Sequence, residues 1–235
     1  MSRRAQAVGL ALTTAGVAVV LFSHWMMAFW VPTEAAQGVV QRIFYVHVPA
    51  AWSCFLAIGI AALASAAYLW LEDERADSAA VSAAEGAIVF GAIMLVSGPL
   101  WGRIAWGTYW TWEPRLTLTL LLWFIYVGYF LVRGSISDAR RGRRFAAVVA
   151  VVGALFIPLI HVSVLHFRSL HPGPVVLKSE GPTLHPDMLA TLLVSFLGFA
   201  MLFLGLFTFR YALERLRWRM AAAAPSRRGG GGGFG

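Results

Sequence analysis

Six long apolar runs, separated by short polar segments, set the pattern of the chain: Ala7–Trp30, Val48–Leu71, Val81–Leu100, Leu116–Val132, Phe145–Leu165 and Met188–Phe209. A hydrocarbon core of about 30 Å takes roughly 20 apolar residues in helical form. Each run is near that length, so the pattern predicts six transmembrane helices in an all-α integral membrane protein. Arg3 and Arg4 precede the first run, as in a signal peptide. Its apolar stretch exceeds the roughly 7–15 residues of a signal core, and no small-residue cleavage site follows, so it reads as a span. No repeat with a period of 20–50 residues is visible, which removes support for an inverted-repeat transporter. Residues 1–220 read as one membrane domain. Residues 221–235, rich in Ala, Arg and Gly, read as a disordered tail.

Composition agrees with the pattern. The 235 residues are 59% hydrophobic and 13% charged, against roughly 45–50% and about 25% in soluble domains. The net charge of +8 would suit nucleic acid only with a clustered basic face on a folded domain, and none is present. The arginines lie between apolar runs instead. Fourteen of the nineteen Lys and Arg residues fall on one side of the predicted topology, including Arg133, Arg140, Arg141, Arg143 and Arg144. Arg42, Arg103, Arg115, Arg168 and Lys178 fall on the other. The asymmetry predicts a multi-pass membrane protein with both termini cytoplasmic. The single cysteine, Cys54, excludes a disulfide framework, a CxxC redox pair, a cysteine-ligated iron–sulfur centre and a CxxCH haem attachment. It reads as a small core hydrophobe.

Candidate chemistry gathers on the arginine-poor side. All six histidines (His24, His47, His161, His166, His171 and His185) lie there, with seven of the ten tryptophans. An aromatic belt would populate both interfaces, and this one is lopsided. Together they predict an outward-facing site for a flat aromatic ligand bearing a metal. The densest stretch is Trp101–Arg115, WGRIAWGTYWTWEPR. Trp106, Tyr109 and Trp110 have i, i+3, i+4 spacing, which predicts a short amphipathic helix lying in the interface. Glu113–Pro114 suits the start of the fourth span. His161 and His166 differ by about 140° in helix azimuth and form no one-face pair. They, His24 and His185 are read as packing residues. Glu85, in the third span, has no evident partner.

Three ordered motifs carry a resemblance. WGTYWTWEPR is similar to the WGxxWxWDxR signature of tryptophan-rich haem-handling membrane proteins. RIFYVHVPAAW (Arg42–Trp52) and IPLIHVSVLHFRSLHPGP (Ile157–Pro174) resemble segments of the haem exporter protein C family, the haem-loading component of bacterial cytochrome c maturation. The resemblance spans residues 8–210. It implies His47 and His171 as axial ligands of non-covalent haem b. It also implies that Trp106, Trp110 and Trp112 hold the macrocycle, with Trp101 at the same face. Presentation of haem to a periplasmic haem chaperone is implied, aided by ABC transporter ATPase and permease subunits and a small membrane subunit. The chain then acts as a transport and chaperone-loading protein rather than a conventional enzyme.

Arg42 and Arg115 are the expected propionate partners, with Arg103 and Arg168 in reserve. Glu113 stands where the signature has aspartate, and either caps a helix or contacts haem or chaperone. Three other readings are a membrane b-type cytochrome, a small-substrate transporter subunit and a cofactor-free scaffold. The first lacks histidines at a second depth. The second lacks a charged pair near mid-membrane. The third predicts colourless protein that tolerates His47→Ala.

Overall fold

The computed structural model describes residues 3–167, 170–171 and 181–223. Among them the α-helices are α1 (Arg3–Trp25), α2 (Phe44–Leu71), α3 (Glu74–Ala105), α4 (Pro114–Ser135), α5 (Ala139–Ala154), α6 (Phe156–His166) and α7 (Pro186–Ala223). A π-helical turn, Met26–Trp30, extends α1, and a 3₁₀ turn, Val39–Ile43, leads into α2. Six segments are long and apolar enough to cross a membrane, with α5 and α6 together forming the fifth. The all-α, six-span architecture is the one that the apolar runs predict.

The fifth span is broken, which the pattern does not anticipate. Pro158 has no N–H for the Ala154 carbonyl, and its ring crowds the preceding turn. Accordingly α5 ends at Ala154 and α6 restarts at Phe156. Other helices outrun their apolar runs because polar side chains cap and pair their ends. The Asp73 carboxylate accepts a hydrogen bond from the Arg75 amide at 2.7 Å and starts α3. The Asp138 carboxylate does the same for α5, accepting from the amides of Arg140 and Arg141. The α2–α3 connection shrinks to Glu72 and Asp73, with Glu72 in the left-handed region at φ 51°. Its carboxylate accepts from Arg140 and, at 2.6 Å, from Arg144. The Arg140 hydrogen bond, reinforced by Arg144, holds the Glu72 carboxyl below its ordinary value.

Small residues let the helices approach closely, as expected where lipid supplies no hydrophobic drive between them. Ala57 and Ala61 of α2 and Ala83, Ala84 and Ala87 of α3 are buried in one core with Phe90, Phe199 and Phe203. The buried Tyr126 hydroxyl faces the Ile58 and Ala150 carbonyls at 3.3 and 3.1 Å, bridging α4 to α2 and α5. Helix α1 packs mainly on α7. A Cβ added at Gly16 would stand 2.6 Å from the Leu202 nitrogen, and one at Gly205 would stand 2.7 Å from the Thr13 nitrogen. Gly16→Val should therefore force the two backbones apart, at a cost of about 1–3 kcal/mol or more. Its thermal aggregation midpoint in detergent should fall, whereas Gly59→Val, where a Cβ meets nothing within 4 Å, should leave the midpoint unchanged.

The two ends of the bundle differ in chemistry. One is rich in arginine. There Arg133 of α4 forms a two-pronged pair with Asp77 of α3, both N–O distances being 2.7 Å, and the Asp77 side chain is 2% exposed. Arg143 lies over the Trp218 ring, 4.3 Å from its centroid. Glu85, which has no evident partner in the sequence, accepts from Arg210 of α7, and Arg210 also bonds Glu214. The opposite end carries the histidines.

Candidate functional site

At the histidine end, Pro49 lies one turn inside α2. It cannot bond the Tyr45 carbonyl, and the Ser195 hydroxyl of α7 donates to that carbonyl instead. The first turn of α2, which carries His47, is thereby tied to α7. The His47 ring faces α3, with Nδ1 3.0 Å from the Ser97 Oγ. The Trp101 ring meets it edge-on at 5.9 Å between centroids. A Cβ at Gly98 would come within 3.1 Å of the His47 Cε1, so the imidazole rests where α3 has no side chain. Trp101 is itself fixed, donating from Nε1 to the Gln37 Oε1 at 2.7 Å.

Between α3 and α4 the expected amphipathic helix does not form; residues 106–113 are irregular. Gly107, at φ 77°, ends α3 in a left-handed turn. Thr108 then spends its hydroxyl on the main chain of Trp110, which competes with helix formation. Pro114 favours an extended Glu113, found at φ −68°, ψ 153°. Trp106 and Trp110 still reach a common cleft. Tyr109 and Trp112 are 58% and 76% exposed, and the Trp112 ring stands edge-on to Trp110 at 5.8 Å. Arg103 donates to the Gly107 carbonyl and lies over the Tyr109 ring, so it braces this loop.

Glu113 occupies the cap position of α4, but its side chain makes no cap hydrogen bond. Its Oε2 accepts from the Leu170 amide at 2.8 Å, joining the tryptophan-rich loop to the segment that carries His171. The His171 ring lies 6.4 Å from that of Trp106.

His47 and His171 line the same cleft, with Trp101, Trp106, Trp110 and Arg115 around them and an apolar wall from Phe55, Met94, Leu95, Leu116 and Ile160. It contains about 710 Å³ of space not filled by atoms, part of it open to the surroundings. Arg42, Trp112 and Glu113 do not line it; Arg168 and Lys178 lie outside the described residues. Among the described residues, buried polar atoms without a partner gather at this end: the Trp110 Nε1, Arg42 Nε, Glu113 Oε1, Thr111 Oγ1 and Thr117 Oγ1. Of these residues only Trp110 lines the cleft.

The remaining histidines are engaged locally. The Nδ1 atoms of His24, His161 and His166 each bond the carbonyl four residues earlier, and His185 accepts from the Asp187 amide at Nδ1. Among the described residues, no group of three or more His, Cys, Asp or Glu side chains could hold a bare metal ion. Two imidazoles across an apolar, tryptophan-walled cleft instead suit a metal already chelated in a plane, as in haem. Ser97, Gly98 and Gln37 are the site residues that the sequence reading lacks. The Ser97-Gly98-Pro99 interruption near the end of the third apolar run is the one signal that could have revealed the first two.

Fold and site together define a multipass helical membrane protein with a two-histidine cleft at one end. The family model described as Heme exporter protein C matches residues 1–225. The chain is 34% identical over 209 residues to Heme exporter protein C of Haemophilus influenzae, covering 88% of this chain and 82% of the relative. It is 36% identical over 189 residues to the Bradyrhizobium diazoefficiens protein of the same name (80% and 72% covered). Against the Escherichia coli K12 protein it is 36% identical over 186 residues (78% and 74% covered). The chain belongs to the Heme exporter protein C family.

Proposed function

We propose that this protein handles haem in c-type cytochrome biogenesis, holding it in the cleft between His47 and His171 and presenting it to a periplasmic haem chaperone. The observation that carries the reading is the convergence of these two imidazoles, one from the first turn of α2 and one from the α6–α7 connection, on one apolar cleft walled by Trp106 and Trp110. Paired neutral imidazoles leave a haem iron no open position for oxygen, which suits storage and handover rather than oxygen chemistry. Arg115 lines the cleft and is the first choice to receive a propionate. Exposed Trp112 and Tyr109 supply an apolar rim for the chaperone.

The histidine end faces the periplasm of a bacterial inner membrane, because the arginines concentrate at the other end. ABC transporter ATPase and permease subunits and a small membrane subunit are the expected partners. The test is the absorption spectrum of the detergent-purified full chain, with a pyridine haemochrome assay. A low-spin haem b spectrum at near one haem per chain is expected. Colourless protein from haem-replete cells would overturn the proposal.

A further inference from the structure

We infer that Ser97 is a positioning residue for His47: its hydroxyl selects the imidazole tautomer that presents a free Nε2 lone pair. The inference rests on the proposed role of His47 as a haem ligand. Ser97 sits in α3, where its hydroxyl proton is committed to its own helix. Oγ is 2.7 Å from the Ile93 carbonyl and 3.3 Å from that of Met94. With its only proton so directed, Oγ can meet the His47 Nδ1, 3.0 Å away, only as an acceptor.

Nδ1 must then carry the ring proton. In a neutral imidazole this leaves Nε2 as the unprotonated nitrogen, the form a metal needs. A relay from ring N–H to hydroxyl to backbone carbonyl also fixes the ring plane, and such partners raise the basicity of the ligating nitrogen. Gly98 and Trp101 complete the seat, one by bare backbone and the other edge-on. His24, His161 and His166 turn Nδ1 to a carbonyl of their own helix and lie away from the cleft.

The experiment compares full-length wild type with Ser97→Val, Ser97→Thr and His47→Ala, each purified in detergent. Readouts are haem affinity by titration with haemin and the low-spin fraction by electron paramagnetic resonance. Valine fills the space without a hydroxyl; threonine restores the hydroxyl, which in a helix can still bond the carbonyl one turn back. Ser97→Val should weaken haem binding roughly 10–100-fold and raise the high-spin fraction, and Ser97→Thr should return both toward wild type. A Ser97→Val protein with wild-type affinity and spin state, beside a defective His47→Ala, would overturn the inference while leaving His47 as ligand. Equal defects in the valine and threonine variants would also overturn it, since shape rather than the hydroxyl would then be responsible. A wild-type spectrum from His47→Ala would overturn the ligand assignment and the inference with it.

Discussion

His47→Ala and His171→Ala should each abolish the low-spin haem spectrum of the purified protein. Their loss of affinity should exceed the roughly 10–100-fold typical of removing a partner that only orients a ligand. Added imidazole should restore the low-spin band in part, because deleting either ring opens space beside an otherwise intact cleft. His24→Ala and His161→Ala are the matched controls. Both rings bond a carbonyl of their own helix and neither lines the cleft, so both variants should retain haem. Normal haem content in the His47 and His171 single variants would refute the assignment. Failure of imidazole rescue, with haem lost equally from the controls, would show damage to the bundle instead of removal of a ligand.

The second large effect concerns the opposite end. Arg133→Ala should destabilise the protein by about 3–5 kcal/mol, the usual result of leaving a buried charge without its partner. Asp77 has almost no exposure and both its oxygens are taken by Arg133. The double variant Asp77→Leu/Arg133→Met should recover most of the loss, since replacing both partners by apolar groups removes the need for compensation. Thermal unfolding in detergent, followed by loss of the monodisperse peak, separates the variants. A double variant as unstable as Arg133→Ala would indicate that the arginine matters for packing rather than for its charge. Haem content per folded molecule should not change, because the pair lies at the end away from the cleft.

The parts of this protein that were legible in the sequence are those set by local pattern. Apolar runs of membrane length define six spans whatever their neighbours do. The lopsided histidines and tryptophans mark one end because the short loops leave them no other place. What escaped depends on partners distant in sequence. Glu85 looks isolated until α7 brings Arg210 beside it. Glu113 has the position of a helix cap, yet its carboxylate reaches the Leu170 amide, 57 residues away.

The tryptophan loop failed for a different reason. The spacing of Trp106, Tyr109 and Trp110 fits one helix face, but Gly107, Thr108 and Pro114 each oppose a helix there, and their combined preference prevails. The break at Leu155 is likewise local, written in Pro158 but masked by the uniform hydrophobicity around it. Ser97 was hidden because a serine in a transmembrane run is unremarkable until its place beside the His47 Nδ1 is seen.

The bond from Ser195 to the Tyr45 carbonyl has a mechanical consequence for His47. His47 rides on a helical turn pinned through its main chain to α7 and through its ring to α3. In the proposed haem site His47 would thus be a ligand whose place the protein sets twice over, so that a chaperone could draw the cargo away without disturbing the seat that the next one needs.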